Sequence, residues 1–210
     1  MKRLYVAYGS NMNTLQMGYR CPNARALGKG ILRGYSLEFR GRNGNGVATI
    51  IRNRNTSIPV VLWSITDDSE RALDAYEGFP TLYYKKDVEV EFEGRSVKAM
   101  AYIMASQYED RAMAAQPSTQ YFQTIREGYH DFGIDTATIE KALIRAINNT
   151  SIPRKVIDEM KKVSREGRVN MFDVPRVQEI ALEHGYTHLA SFLDEPANLG
   201  LYGNLIIYGD

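Results

Sequence analysis

The spacing of apolar residues changes once along the chain, and this change constrains the fold more than any other feature of the sequence. Between Leu4 and Met104 the apolar side chains form short β-branched or alternating runs separated by turn residues, which is typical of β-strands. From Thr119 onward they recur every three or four residues, as in amphipathic helices. A strand-rich body followed by helices predicts an α+β fold with a mostly antiparallel or mixed sheet. Periodicity alone leaves open whether that sheet closes into a barrel.

Turn residues divide the strand-rich body into separate segments. The pattern predicts strands over residues 4–8, 47–51, 60–65, 83–92 and 97–104, and two short strands within residues 26–39 that are hinged at Gly34. It also predicts helices whose N-terminal caps are Asn13 or Thr14 and Asp67 or Asp68. The Gly- and Asn-rich residues 41–46 predict a turn or mobile loop, because both residue types tolerate positive φ.

The helical periodicity continues into the C-terminal part, where residues 151–153 (Ser-Ile-Pro) mark a predicted boundary. We expect a first domain over residues 1–150 and a small helical domain over residues 151–210. The second domain contains two predicted amphipathic helices within residues 154–184 and a third near residues 189–193. Its last residues, 201–208, predict a terminal strand or an apolar tail.

Composition excludes several classes of protein. The 210 residues carry 26 Lys and Arg against 25 Asp and Glu, so the chain lacks the basic field that is typical of nucleic-acid and membrane-surface proteins. A single cysteine, Cys21, excludes an internal disulfide framework and a zinc site of several thiolates. The sequence has no apolar run of about 20 residues, no signal-peptide core and no phosphate-binding glycine motif with the required spacing. We therefore expect a cytoplasmic protein with no metal, no cofactor and no membrane partner.

Two short segments carry the candidate chemistry. In residues 8–11 (Tyr-Gly-Ser-Asn) a glycine follows a predicted strand and precedes two small polar residues, so successive backbone N–H groups can converge on an anion or oxyanion. In the second segment, Glu77 lies at a predicted helix end among aromatic residues and a proline, where apolar surroundings would raise the pKa of its carboxyl group. Alone, each segment has a plainer interpretation: a strand-to-helix turn and a solvated glutamate.

Several short motifs occur together with these segments in a consistent order and spacing. They are Tyr5-Val6-Ala7-Tyr8-Gly9-Ser10-Asn11, Arg20-Cys21-Pro22 with Ala24, Tyr35 with Leu37 and Phe39, Val61-Leu62-Trp63, Leu73-Asp74 with Glu77-Gly78, Tyr84, and Pro117-Ser118 with Tyr121. Over about residues 3–130 the chain thereby resembles the gamma-glutamylcyclotransferase (AIG2-like) family. It departs from the best-known members at Met12, where leucine is usual. Residues 153–194 lie outside this match and look like a small helical domain of unknown function.

The resemblance implies a small mixed β-barrel with surrounding helices and an enzyme that cyclises a γ-glutamyl group. In such a reaction, of transferase or lyase type, the α-amine attacks its own γ-carbonyl and releases 5-oxoproline and a free amine or amino acid. It implies a small-molecule γ-glutamyl substrate and no cofactor. Glu77 aligns with the catalytic acid/base of the family. The implied substrate-binding residues are Tyr8, Gly9, Ser10, Asn11, Tyr84 and Tyr121.

The sequence leaves the substrate and two other functions open. Glutathione-derived dipeptides, γ-glutamylamines and a γ-glutamyl-protected metabolite or peptide are all compatible with it. A non-catalytic module on the same fold would bind a small glutamyl-like anion without turnover, although Glu77 argues against it. A nucleic-acid-associated protein could act through residues 154–184, but their second predicted helix is mildly acidic, which argues against base reading. We expect residues 154–210 to support a homo-oligomer or to bind a protein partner.

Overall fold

A computed structural model describes residues 2–41, 45–105 and 113–208. Residues 42–44 of the predicted loop 41–46 lie outside the described residues. The chain divides into two compact units, Met1–Leu143 and Ile144–Asp210. The division falls inside the helix Ala137–Ser151, which also contains the boundary expected after residue 150.

The first unit consists of a sheet with helices beside it. Its strands are β1 (Lys2–Ala7), β2 (Arg25–Gly41), β3 (Val47–Thr66), β4 (Tyr83–Phe92), β5 (Arg95–Met104) and β6 (Met113–Ala114). Its helices are α1 (Thr14–Arg20), α2 (Asp67–Glu77), α3 (Thr119–Asp131) and the first half of α4 (Ala137–Ser151). A 3₁₀ turn at Ser10–Met12 follows β1 directly.

Five of these strands close into a barrel. Hydrogen bonding follows the order β3-β1-β5-β4-β2, and β2 pairs again with β3, which joins the two ends of the sheet. Strand β1 is parallel to β5, whereas the other pairings are antiparallel. The fold is therefore α+β with a mixed sheet, as predicted, and the barrel that the resemblance implied is confirmed. Val6, Leu32 and Val90 are fully buried representatives of its core.

The long strands β2 and β3 differ from the prediction, which placed two shorter strands in each segment. They pair with each other along nearly their whole length. Gly34 has a φ of 77°, and the register shifts at this point. Arg33 lies opposite Ser57, but Tyr35 lies opposite Arg52. The polar residues between the two partners bulge from the ladder, and both strands continue past them because backbone pairing does not require apolar side chains.

The second unit is helical and has its own apolar core. It contains α5 (Arg154–Glu166), α6 (Val174–Glu183), α7 (Thr187–Asp194) and α8 (Leu199–Tyr208), with a 3₁₀ turn at Pro196–Asn198. The prediction of a terminal strand over residues 201–208 is wrong, because this segment is helix α8. Tyr202 and Leu205, three residues apart, are buried in a core that the other helices supply. A short apolar run fits a strand or a buried helix equally well, and the packing partners decide between them.

The described helices are short. The longest, α4, has 15 residues, and none of the helices in the described residues combines the length and the apolarity needed to cross a membrane. The cytoplasmic location stays a prediction.

Helix α3 fixes the 3₁₀ turn after β1 by direct backbone contact. A Cβ at Gly128 of α3 would lie 2.5 Å from the backbone nitrogen of Asn13 and 2.7 Å from the carbonyl carbon of Met12. Beside this contact, the backbone N–H and the hydroxyl of Thr14 both donate to the carboxylate of Asp131, at 2.8 and 2.7 Å. Glycine at position 128 therefore lets α3 hold the turn and the start of α1 in place.

We expect Gly128→Ala to destabilise the first unit by about 1–3 kcal/mol, because the added methyl group must displace the turn. Gly18→Ala is the matched control, since a Cβ at this helical glycine of α1 meets nothing within 4 Å. That exchange should be neutral or should stabilise the chain by up to about 1 kcal/mol. Urea denaturation of both variants measures the difference. Equal stability of the two would contradict the close approach of α3.

Candidate active site

A cavity of about 220 Å³ lies at the C-terminal end of β1. Its wall combines the turn after β1, the end of α2 and residues of β3, β4, β5 and α3. The lining residues are Tyr5, Tyr8, Gly9, Ser10, Asn11, Val47, Ala48, Tyr76, Glu77, Leu82, Tyr83, Tyr102 and Tyr121. Glu77 is the one acidic residue in this set. No group of three or more His, Cys, Asp or Glu side chains in the described part of the chain is arranged to hold a metal ion.

The turn after β1 presents backbone donors. Gly9 precedes it, and a Cβ at Gly9 would lie only 3.2 Å from the Cβ of Ala48, so a side chain there would crowd β3. The first hydrogen bond of the turn runs from the N–H of Met12 to the carbonyl of Gly9, at 2.9 Å. The N–H groups of Ser10 and Asn11 come before that bond, so the turn itself supplies them with no acceptor. They are the donors that the sequence predicted for an anion nest.

Helix α2 places Glu77 at the cavity as its last residue. The helix begins after Thr66, whose Oγ1 accepts the N–H of Ser69 at 3.3 Å. Thr66 rather than Asp67 or Asp68 is therefore the N-terminal cap, which corrects the predicted start by one residue. Gly78 ends the helix with a φ of 63°, a backbone conformation that residues other than glycine rarely adopt.

Polar contacts fix α2 to the barrel. The ammonium group of Lys85 in β4 lies 2.6 Å from the carboxylate of Glu70 and 2.8 Å from that of Asp74. The hydroxyl of Tyr102 in β5 also donates to Asp74, at 2.6 Å. These contacts hold the end of the helix against the strands that line the cavity.

The carboxyl group of Glu77 has an unusual environment. The residue is half-buried, and its Oε1 accepts a hydrogen bond of 2.9 Å from Nδ2 of Asn11. Burial raises the pKa of the Glu77 carboxyl to about 7, against the opposing effects of the Arg20 charge and the Asn11 hydrogen bond. A group with this pKa can accept a proton and return it near neutral pH, as a general acid/base must.

Buried tyrosine hydroxyls form much of the remaining wall. The Tyr8 hydroxyl donates to the carbonyl of Tyr102 at 2.5 Å, and the Tyr83 hydroxyl donates to the carbonyl of Ala48 at 2.8 Å. The Tyr121 hydroxyl accepts the N–H of Ala48 at 3.2 Å, which leaves its own proton for another acceptor. Burial raises the pKa of all three phenols well above the usual value of 10, so they are neutral donors at physiological pH.

The structure brings together all but one of the residues that the sequence singled out. Glu77, the segment 8–11 and Tyr121 line one cavity, whereas Tyr84 does not. Its neighbour Tyr83 lines the cavity instead and is 5% exposed, against 37% for Tyr84. Side chains alternate between the two faces of a strand, and Tyr83 shares its face of β4 with Lys85, which contacts α2. The site lies on that face, so Tyr84 points away from it.

Sequence reasoning missed several residues of the site. Tyr5 and Arg20 belong to motifs that carried the resemblance, but nothing in their spacing assigned them a role. In the structure the Tyr5 hydroxyl accepts a hydrogen bond of 2.8 Å from Nδ2 of Asn11, and Arg20 donates a hydrogen bond to Oδ1 of the same side chain. Tyr76, at the cavity edge, lies under the Arg20 guanidinium. Only the fold places these side chains next to residues 8–11.

The comparison with protein families agrees with the fold. A family model described as Gamma-glutamyl cyclotransferase, AIG2-like matches residues 5–123, more than half of the chain. The chain belongs to this family, as its motifs predicted. A second model, described as a domain of unknown function (DUF5049), matches residues 153–210. The small helical domain of the prediction is confirmed as a region with its own family.

Individual relatives support the same assignment. Gamma-glutamylcyclotransferases from Homo sapiens and Mus musculus are each 29% identical over 173 residues, which cover 78% of this chain and 88% of theirs. A solved structure named gamma-glutamyl cyclotransferase matches with a TM-score of 0.60 and 27% identity, over 68% of this chain and 86% of that one. YkqA from Bacillus subtilis, with a TM-score of 0.55 and 21% identity over 67% of this chain and 52% of that one, has the same fold.

The raised pKa of Glu77 makes the stability of the chain depend on pH. The folded state holds a proton up to about pH 7 that the unfolded chain releases around pH 4.5. The stronger proton binding of the folded state stabilises it fully below pH 4.5, and this stabilisation is lost as the pH rises through 7. Above that pH the ionised carboxylate lowers the free energy of unfolding by at most about 3 kcal/mol. We expect Glu77→Gln, which cannot ionise, to be more stable than the parent at pH 8 and equally stable at pH 4.

Urea denaturation at the two pH values measures this difference. Glu195→Gln, at an exposed position of the second unit, is the control and should show no comparable gain at pH 8. If the parent and Glu77→Gln unfold at the same urea concentration at pH 8, the carboxyl group is not held in a poorly solvated site.

Proposed function

We propose that this protein is a gamma-glutamylcyclotransferase in which Glu77 acts as the general acid/base. The observation that carries the proposal is a half-buried carboxyl group with a pKa of about 7 in a cavity that residues 8–11 also line. Membership of the family and the names of its relatives support the reaction type. The substrate would be a small molecule with a γ-glutamyl group, and the reaction needs no cofactor.

The proposed reaction uses one carboxylate twice. Glu77 accepts a proton from the α-ammonium group of the substrate, and the free amine attacks the γ-carbonyl carbon. The new C–N bond closes a five-membered ring and leaves an oxyanion. When the oxyanion collapses, the bond to the departing amine breaks and Glu77 returns its proton to that amine, while the ring nitrogen, which still carries two hydrogens after the attack, releases one of them to water. The products are 5-oxoproline and a free amine or amino acid, so protons and bonds balance.

The remaining wall of the cavity would bind and orient the substrate. Nucleophile and electrophile belong to one molecule, so the main task of the protein is to hold a folded conformer in which they meet. The N–H groups of Ser10 and Asn11 can donate to the oxyanion or to the glutamyl carboxylate. The Tyr121 hydroxyl is a further neutral donor, and we assign to Tyr83 the pocket position that the sequence gave to Tyr84.

A non-catalytic module that binds a glutamyl-like anion is the second candidate. The same backbone donors would serve it, and this is the observation in its favour. A carboxylate inside the cavity argues against it, because repulsion between Glu77 and an anionic ligand would weaken binding without a compensating benefit. Turnover distinguishes the two functions directly.

We expect Glu77→Gln to lower kcat by about 10²–10⁴-fold with little change in KM, because glutamine keeps the size of the side chain but cannot accept the ammonium proton. Ser10→Ala should cost much less, since the backbone N–H groups of the turn remain. Mass spectrometry of 5-oxoproline release from a panel of γ-glutamyl compounds measures both, and a ligand-induced thermal shift reports binding separately. Near-parental turnover by Glu77→Gln would remove its catalytic role. Binding without turnover in parent and variant alike would favour the binding module.

For the second unit we propose a role in assembly or in binding a protein partner. It has a core of its own, and Lys161, Lys162 and Arg165 of α5 are exposed on its surface.

Because every residue of the proposed reaction lies in the first unit, charge reversal of these three residues to Glu should leave turnover within a few-fold of the parent. Kinetics together with size-exclusion chromatography test this expectation. A folded triple variant that loses turnover by orders of magnitude would contradict it, and a salt-dependent complex of the parent with DNA or RNA would favour nucleic-acid binding instead.

A further inference from the structure

Arg20, the last residue of α1, forms a dense set of contacts beside the cavity. One terminal nitrogen donates to Oγ of Ser10 at 3.2 Å and to Oδ1 of Asn11. The other donates to Oε1 of Gln16 at 2.9 Å and to the hydroxyl of Tyr76 at 2.7 Å. The guanidinium carbon lies 3.7 Å from the centre of the Tyr76 ring. This half-buried cation is therefore held by α1, by α2 and by the turn after β1.

The carboxamide of Asn11 connects Arg20 with Glu77. Its Nδ2 donates to Glu77 at 2.9 Å and to the Tyr5 hydroxyl at 2.8 Å, which uses both hydrogens of the amide. Its Oδ1 accepts from Arg20. Asn11 is 3% exposed, so no bulk water competes for these positions.

Only one orientation of this carboxamide satisfies both neighbours. A guanidinium group can only donate, and an ionised carboxylate can only accept. Rotating the amide by 180° would point its N–H groups at the N–H groups of Arg20 and its oxygen at the carboxylate of Glu77, so neither pair could form a hydrogen bond. Arg20 therefore selects the orientation in which Asn11 donates to Glu77, and the same bond keeps the carboxylate directed into the cavity.

We propose that Arg20 is a positioning residue for the acid/base: it acts through Asn11 to orient the carboxylate of Glu77. This inference rests on the proposed cyclotransferase function, and it assigns to Arg20 no contact with the substrate. The fork of the guanidinium matters as well as its charge, because four acceptors from two helices and a turn are arranged around two nitrogens.

The charge of Arg20 has a separate effect on Glu77. Burial raises the pKa of the Glu77 carboxyl, and the nearby guanidinium lowers it, so their balance keeps the value near 7. The other titratable groups around Glu77 are Tyr5 within β1, Tyr8 after it, Tyr83 of β4, Tyr102 of β5, Tyr121 of α3, Tyr76 of its own helix and Cys21 after α1. Burial raises the pKa of Tyr5, Tyr8, Tyr83, Tyr121 and Cys21. Among the groups named here, Arg20 is thus the one that supplies a positive charge.

Three variants separate these effects. Arg20→Met removes both charge and donors, Arg20→Lys keeps the charge but not the fork, and Arg71→Met removes an exposed arginine of α2 as the control. In the pH profile of kcat/KM, Arg20→Met should move the acidic limb upward by about one pH unit. Arg20→Lys should leave that limb in place yet lower kcat about tenfold, because a single ammonium cannot fix the carboxamide. Arg71→Met should match the parent.

A double-mutant cycle tests whether Arg20 acts through Asn11. On the plateau above the acidic limb of each variant's own pH profile, where Glu77 is ionised, Arg20→Met should lower kcat about tenfold in the parent background and by less than about twofold in Asn11→Ala. Losses that multiply fully in the double variant would overturn the proposal. So would an Arg20→Lys variant with parental kcat. A merely structural role would lower the melting temperature without shifting the acidic limb.

A measurement without turnover keeps this inference distinct from the proposed reaction. Carbon-13 NMR of the glutamate carboxyl groups, with the Glu77 signal assigned by its loss in Glu77→Gln, follows the titration directly. An upward shift of the Glu77 titration in Arg20→Met, with no shift in Arg71→Met, is the expected result. If the parent turns over no γ-glutamyl compound, the proposed function fails, and an unchanged Glu77 titration in Arg20→Met would by itself refute the coupling between Arg20 and Glu77.

Discussion

The hydrogen bond from Asn11 to Glu77 is the interaction on which the site depends. It joins two residues that are 66 positions apart, one in the turn after β1 and one at the end of α2. The barrel fixes the end of β1, α3 packs its Gly128 against the turn, and Lys85 and Tyr102 fix α2 to the strands. These are ordinary structural contacts, apolar and polar, and together they set the distance between the turn after β1 and the carboxylate of Glu77.

The electrostatics of the site oppose the stability of the fold. An ionised carboxylate in a poorly solvated cavity costs free energy at neutral pH, and the Arg20 charge offsets only part of it. The surrounding phenols are neutral, so they add donors without changing the charge. The result is a carboxyl group with a pKa near 7, as the proposed acid/base role requires, in surroundings that contain an asparagine and an arginine rather than a histidine.

The differences between prediction and structure have physical causes. Gly34 suggested a break in β2 and a polar segment suggested one in β3, but the backbone ladder continues and absorbs the polar residues in a bulge at Gly34. The apolar run of α8 is compatible with a strand or with a buried helix, and its packing against the other helices of the second unit makes it a helix. Tyr84 was assigned to the pocket from a motif match, whereas strand alternation and the position of α2 place Tyr83 there.

The sequence by itself determined the α+β class, the change from strands to helices, the family and most of the site, because these depend on local periodicity and on short motifs. Glu77 and residues 8–11 could be named from the chain alone. The tertiary structure decided the closure of the barrel and the entry of Tyr5, Tyr83 and Arg20 into the site. These features depend on contacts between segments far apart in the chain, and hydrophobic spacing within one segment carries no information about its partner in another.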